Sequence, residues 1–228
     1  KNEVPVVSIV GYTNAGKSTV MNRLLAKTGQ LDDKQVFEKD MLFATLETSV
    51  RQIRLPDQKE FLLTDTVGFV SKLPTHLVKA FRSTLEEARE ADLLLHVVDV
   101  SNEEYRYMMH VTNETLHAVG VEDVPTLELY NKSDLAELNY PRVSGNSLWI
   151  SAKEGKGLDE LLETIRTHIF ADYKMCRMLI PYERGDIVSY LNEQASVQTS
   201  EYEEEGTLIK VELRQSDYER YHEFVLGK

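Results

Sequence analysis

The stretch "GYTNAGKST" at residues 11 to 19 restricts the fold more than any other part of this 228-residue chain. Its spacing is G-x-x-x-x-G-K-[ST]. It follows a short apolar, β-branched run, "VPVVSIV" (4–10), and opens "KSTVMNRLLAK" (17–27), whose pattern is that of a helix. A strand, a glycine turn and a helix in that order make a cradle for anions. Gly11 and Gly16 let backbone N–H groups turn inward without a Cβ clash. The helix that starts at Lys17 aims its positive end at the same point. Lys17 adds a mobile charge for the outer phosphates of a nucleoside triphosphate, and the Ser18 hydroxyl suits magnesium.

The remaining pattern sets the architecture around that loop. "ETSVRQIRL" (47–55) alternates, and "EFLLTD" (60–65) follows a "PDQ" turn, so the two are expected to form a hairpin. In 75–91, Leu77, Phe81, Leu85 and Ala88 share one helical face. "DLLLHVVDV" (92–100) reads as a buried strand. A helix near 103–119, strands at 125–130 and 148–151, and a closing helix marked by Leu158, Leu161, Leu162, Ile165 and Ile169 follow. Strands alternating with helices imply an α/β fold, a mainly parallel sheet with helices on both faces. After about residue 171 the rhythm changes. "CRMLIP" suggests a strand and "DIVSYLNEQA" a helix. "SVQTSEY" and "TLIKVEL" suggest a hairpin across "EEEG", and "DYERYHEFV" a last helix. The expected domains are therefore 1–170 and a small α+β domain at 171–228.

Three further loops narrow the ligand. "ELYNKSD" (128–134) ends a strand with Asn131, Lys132 and Asp134. The Asp134 carboxylate suits the ring N–H and exocyclic amine of guanine, a donor pair that adenine lacks on that edge. "ISAKEG" (150–155) follows the next strand and closes over a base through its backbone and Lys153. "DTVG" (65–68) places Asp65 to hold magnesium through a water and the Gly68 N–H to meet a γ-phosphate. In "FATLE" (43–47) Thr45 is the preferred hydroxyl for the metal, with Thr48 as the alternative.

Composition excludes other classes. The net charge is −12, so long-range attraction of the whole chain to nucleic acid is not expected. No apolar run approaches the ~20 residues of a membrane span. The six histidines are scattered, without the spacing of a transition-metal site. The single cysteine, Cys176, cannot form an internal disulfide, which fits a reducing cytosol. No secretory leader is recognisable, and Lys1 is not an initiator methionine, so the chain is expected to be a portion of a longer protein.

"GYTNAGKST", "FATLE", "DTVGFV" and "LPTHLVKAFRSTLEEAREADLLLHVVD" together resemble the G domain of HflX, a ribosome-associated GTPase of the Obg-like translation-factor class. The resemblance covers nearly all of 1–170 and extends more loosely through "IPYERGDIVSYL". It implies a Ras-like P-loop GTPase fold, GTP and GDP as ligands and magnesium as cofactor; the protein is separately expected to be cytoplasmic and monomeric. It also implies contact with the large ribosomal subunit and its RNA, and a role in ribosome splitting or rescue under stress. Carried onto matching positions, the phosphate loop is Gly11, Tyr12, Thr13, Asn14, Ala15, Gly16, Lys17, Ser18 and Thr19. The switch loops are Phe43, Ala44, Thr45, Leu46 and Glu47, and Asp65, Thr66, Val67 and Gly68. The base loops are Asn131, Lys132, Ser133 and Asp134, and Ser151, Ala152 and Lys153. Magnesium falls to Ser18 and Thr45; Lys17, Thr45 and Gly68 are the expected catalytic groups. Two departures stand out. The chain begins almost at the first strand, without the family's N-terminal domain, and it has "ETSVR" where relatives often carry a "DPTTR"-like run.

Phe69, which follows "DTVG", poses a chemical problem. Glutamine-type GTPases orient water with a residue here, and phenylalanine has neither donor nor acceptor. It packs beneath the switch, gates a hydrophobic barrier over the γ-phosphate, or marks a binding switch with negligible turnover. Slow hydrolysis raised by a partner is the preferred expectation, because phosphoryl transfer depends mainly on positioning and charge. "NKSD" disfavours a third class, an ATPase. Asn14 either fixes its own loop or binds potassium as similar "GxxNAGKS" loops do. Lys72, His76, Lys79 and Arg82 form a basic cluster, read as a solvated helix face or as an RNA contact. Glu201 to Glu205 reads as a solvated turn, His96 as a core histidine, and Cys176 and Trp149 as packing residues.

Overall fold

A computed structural model describes residues 4–29, 49–66, 68 and 78–227. By its contacts the chain divides into two units. The first is Lys1–Ile53 with Phe61–Ile165, and the second is Arg54–Glu60 with Arg166–Lys228.

In the first unit the apolar run after Pro5 forms strand β1 (Val6–Gly11) and the loop leads into helix α1 (Lys17–Lys27). Strands β2 (Ser49–Arg54) and β3 (Glu60–Asp65) follow, then helix α2 (Val78–Glu86), extended by a 3-10 turn over Glu87–Glu90. Strand β4 (Leu93–Asp99), helix α3 (Tyr105–Ala118), β5 (Thr126–Asn131), β6 (Arg142–Ser144), β7 (Ser147–Trp149) and helix α4 (Leu158–Ile169) complete the order. Among the described residues the sheet order is β2-β3-β1-β4-β5-β7-β6. β1 runs parallel to β3 and β4, and β4, β5 and β7 continue in parallel, as the βα rhythm requires. β6 is an antiparallel edge strand on β7, absent from the sequence expectation. The expected 75–91 helix is shorter within the described residues, where its last four turn residues tighten to 3-10.

Both faces of the central strands are buried, which is why they read as near-continuous apolar runs. On one face Val10 and Leu94 pack with Leu85, Ala88, Leu116 and Val121, so the 78–90 segment and α3 lie on that side. Val7, Ile9, Leu93, Leu95, Leu127 and Leu129 are equally buried. β1 lies between β3 and β4, so the chain reverses its direction of travel across the sheet there. Crevices at such a point, outside the carboxyl ends of the strands, are where open α/β sheets bind ligands.

The second unit holds β8 (Lys174–Ile180), α5 (Gly185–Gln194), β9 (Ser196–Glu203), β10 (Gly206–Leu213), α6 (Gln215–Arg220) and β11 (Val225–Leu226). Its sheet has the order β11-β8-β10-β9, with antiparallel pairing throughout. The expected hairpin turns at Glu204–Glu205, and Glu201 to Glu205 are exposed. The expected last helix stops early. Val225 enters strand β11 instead, because its side chain belongs to the core with Met178 and Val211. Cys176 packs at the edge of this core, and burial pushes its thiol up.

Candidate functional site

The carboxyl ends of β1 and β3 bring two of the sequence motifs together. Ile9 pairs with Asp65 in register, and Thr66 returns two hydrogen bonds to the Ile9 carbonyl, from its amide at 3.3 Å and its hydroxyl at 2.8 Å. Ser8 and Thr64 hydroxyls bond at 2.6 Å one step earlier. Asp65, fully buried, is thereby held beside the phosphate loop. Lys17, only 5% exposed, donates from Nζ to Asp65 Oδ1 at 2.9 Å and to the Thr66 carbonyl at 2.6 Å. A buried ammonium requires such partners, and phosphate oxygens are acceptors of the same kind. Gly68 lies against Thr13 of the loop.

The loop itself turns with Ala15 N–H bonded to the Tyr12 carbonyl at 3.1 Å. Among the described residues the amides of Asn14, Gly16, Lys17 and Ser18 carry no acceptor, as expected of donors at a helix start. Ser18 is half-buried at the first turn of α1. The Asn14 side chain is exposed and has no bonded neighbour among the described residues.

The base loops join the same structure from the other side. Asn131, at the end of β5, donates from Nδ2 to the Ala15 carbonyl at 2.9 Å, while its Oδ1 accepts from Ala152 N–H at 3.0 Å. This one amide links three segments of the chain. It also explains a residue type: at Gly16, φ is +96° and an added Cβ would stand 2.4 Å from Asn131 Nδ2, so only glycine allows that approach. Lys132, at φ +61°, donates to the Asn14 carbonyl at 2.7 Å and pairs with Asp99 at 3.4 Å. Asp134 is half-buried, and its carboxylate has no hydrogen-bond partner among the described residues. Nearby, Tyr140 donates to Glu154 Oε1 at 2.6 Å. That bond, with the Glu154 and Asp134 charges in support, pushes its hydroxyl up to about 12.

The structure thus gathers Gly11 to Thr19, Asp65, Thr66, Gly68, Asn131 to Asp134 and Ser151 to Lys153. Phe43 to Glu47, Thr48, Val67, Phe69, Lys72 and His76 lie outside the described residues. Lys79 and Arg82 are exposed. His96 is buried as a core histidine, and burial lowers its imidazole to about 4 against the opposing pull of Glu128. Trp149 stacks on Tyr130 at 5.1 Å, with the Arg142 guanidinium 3.7 Å over its ring. A cavity of about 270 Å³ lies on the α3 side of the loop, lined by Thr13, Asn14, His96, Asp99, Tyr105 and Met109 among others. The base loops do not line it. Two groups that sequence reasoning missed also contribute: the Asn131 bridge and Arg23 of α1, whose guanidinium reaches the Ala152 and Lys153 carbonyls.

Residues 6–132 match the family model described as 50S ribosome-binding GTPase, and residues 139–223 that of the HflX C-terminal domain. The chain belongs to the HflX family. A "GTPase HflX" from Caldanaerobacter subterraneus subsp. tengcongensis is 42% identical over 227 residues, covering 100% of this chain and 51% of that protein. The Escherichia coli K12 "GTPase HflX" is 34% identical over 227 residues, covering 96% and 52%. The chain spans about half the length of these HflX relatives. Among solved structures, a GTP-binding protein from Sulfolobus solfataricus in complex with GDP aligns with TM-score 0.53 and 28% identity. That match covers 72% of this chain and 51% of the other. Era in complex with MgGDPNP and a 16S ribosomal RNA segment gives TM-score 0.55 at 23% identity, over 74% and 57%, a likeness of fold. The first unit therefore has the Ras-like P-loop GTPase architecture, followed by the antiparallel second unit.

Proposed function

We propose that this HflX-family chain binds GTP and GDP through its first 170 residues and hydrolyses GTP slowly. The large ribosomal subunit is the partner that accelerates hydrolysis, in the cytoplasm, with residues 171–228 as a small accessory domain. The observation that carries the reading is the amide of Asn131, three residues before Asp134: it ties the phosphate loop at Ala15 to the base loop at Ala152, and the Asp134 carboxylate has no hydrogen-bond partner among the described residues. An anion kept without a partner in a partly buried site is costly unless a ligand supplies donors. Guanine supplies two, and adenine offers no such pair.

The chain's own groups divide the work. Lys17 exchanges Asp65 and Thr66 for phosphate oxygens, so its charge is already desolvated and directed when the ligand arrives. The amides of Asn14 to Ser18 take the phosphate oxygens, and the Gly68 amide takes the γ-phosphate. The donor set fits magnesium: a hydroxyl at Ser18 and a buried carboxylate at Asp65, hard oxygens that phosphates and water complete. We assign that ion to Ser18 and Thr45, with Asp65 acting through a water. When bound, it supplies charge neutralisation between the outer phosphates. Asn14 is the potassium candidate.

Phe69 favours a second reading, a nucleotide-controlled binding module with negligible turnover, since its ring orients no water. Multiple-turnover phosphate release from GTP, in sodium and in potassium, with and without large subunits, separates the two. The expected result is slow release from the free chain and more than about tenfold stimulation by the subunits. Nucleotide binding without release in every condition would establish the binding module instead.

A further inference from the structure

Helix α1 carries an arginine whose role the phosphate loop does not explain. Arg23 lies on the solvent side of the helix, yet its guanidinium is committed to backbone. Nε donates to the Ala152 carbonyl at 2.9 Å and Nη2 to the Lys153 carbonyl at 2.6 Å. Two donors of one planar group thus hold two successive carbonyls, a fork that lysine cannot reproduce. Because the peptide between Ala152 and Lys153 is planar and trans, its N–H points opposite to its C=O. With the Ala152 carbonyl turned to Arg23, the Lys153 N–H is turned the other way. It has no acceptor among the described residues. The preceding amide, Ala152 N–H, is already used by Asn131, whose other end holds the phosphate loop. The Lys153 amide is therefore a fixed donor without an acceptor among the described residues, next to Glu154, which is bonded to Tyr140, whose hydroxyl feels the Asp134 charge.

We propose that Arg23 is a positioning residue for base recognition: it orients the 152–153 peptide so that Lys153 N–H meets the 6-oxo group of a purine. This rests on the guanine-nucleotide reading above. Asp134 reads the purine's ring N–H and 2-amino group, and the Arg23-held amide reads the oxygen beside them. An adenine base presents an amino group at that place, donor against donor. Arg23 adds no contact of its own to the nucleotide. Its effect is to remove the freedom of a loop that would otherwise pay for ordering each time a ligand binds.

The test measures affinities of the parent chain, Arg23→Ala and Arg23→Lys for GDP, IDP and ADP, with thermal midpoints for each protein. IDP keeps the 6-oxo group and lacks the 2-amino group, so it separates the Arg23 effect from that of Asp134. The expected result for Arg23→Ala is a loss of about tenfold for GDP and for IDP alike, with ADP unchanged and the GDP:IDP ratio kept. Arg23→Lys falls between, since a single donor replaces the fork. With GTP as substrate the loss appears in KM rather than in kcat. GDP affinity within twofold of the parent in both variants overturns the assignment, as does an equal loss for GDP and ADP. A lowered thermal midpoint with unchanged affinities reduces Arg23 to a structural tie and also overturns it. If the parent itself binds GDP no better than ADP, the guanine reading fails first, and this assignment falls with it.

Discussion

His96 shows how one side chain records its surroundings. It sits in β4 among apolar residues, is 2% exposed, and lines the cavity beside the phosphate loop. Burial lowers its imidazole to about 4, only partly opposed by the Glu128 carboxylate on the adjacent strand. In the unfolded chain the same group titrates near ~6.5. The folded state therefore binds fewer protons than the unfolded state between those values. Its stability is intact above about pH 6.5 and falls as pH drops towards 4, by about 3 kcal/mol in all. Denaturant unfolding at pH 7 and pH 5 is expected to show parent stability falling by roughly 2 kcal/mol more than that of His96→Asn. The same scale shows what the sequence concealed. Asp134 and Lys17 were legible because their motifs fix both residue type and spacing. Arg23 was not, because an arginine on the outer side of a helix looks solvated whether or not it reaches across to another loop. Asn131 was legible as a base-loop residue, but its bond to Ala15, 116 positions away, depends on how the sheet sets β5 beside β4 and one strand away from β1.

Elements were legible where side-chain period and burial agreed. Helix α1 spans the run read from the sequence, Lys17–Lys27, because Val20, Met21, Leu24 and Leu25 repeat at helical spacing and are all buried. Strand β6 was missed because Arg142, Val143 and Ser144 are all exposed and show no alternation. Strand β11 was missed because two residues carry no period, and its place is set by Met178 and Arg177 across the sheet. At the two ends of the phosphate loop, element geometry makes separable predictions. Gly11 ends β1 at φ +150°, and an added Cβ would stand 2.4 Å from the backbone oxygen of Val97 on β4. Backbone in a parallel pair cannot step aside, so Gly11→Ala is expected to cost roughly 3 kcal/mol of stability. At Gly16 the obstacle is the end of the Asn131 side chain, which can swing away. Gly16→Ala is therefore expected to lose less stability and to lose nucleotide affinity more, because the Asn131 bridge breaks. Chemical denaturation and GDP titration on both variants check the contrast.

At the scale of the whole molecule, the two units have separate apolar clusters, one around Val10, Leu94 and Leu116 and one around Met178, Leu191 and Val211. The turn between β2 and β3 belongs by contact to the second unit, although its strands belong mainly to the first. Lys59 in that turn is 5% exposed. Its ammonium lies 2.5 Å from Glu212 and 3.5 Å from Asp57, and 4.9 Å from the centre of the Tyr173 ring. Asp57 pairs in addition with Arg166. Sequence reading placed a polar turn here and nothing more, since a lysine beside "PDQ" gives no sign of burial. A buried ion pair contributes little against an apolar replacement, but removing one partner leaves the other charge without compensation. Lys59→Ala is expected to destabilise the second unit by roughly 3 kcal/mol, whereas Lys59→Met combined with Glu212→Leu costs distinctly less. Trp149 is the only tryptophan and lies in the first unit, so its emission reports that unit while far-ultraviolet circular dichroism reports both. The Lys59→Ala loss is expected chiefly in the dichroism midpoint. Saturating GDP, at about 100 times its dissociation constant, is expected to raise the Trp149 transition by about 2.7 kcal/mol and to leave that deficit in the second unit in place.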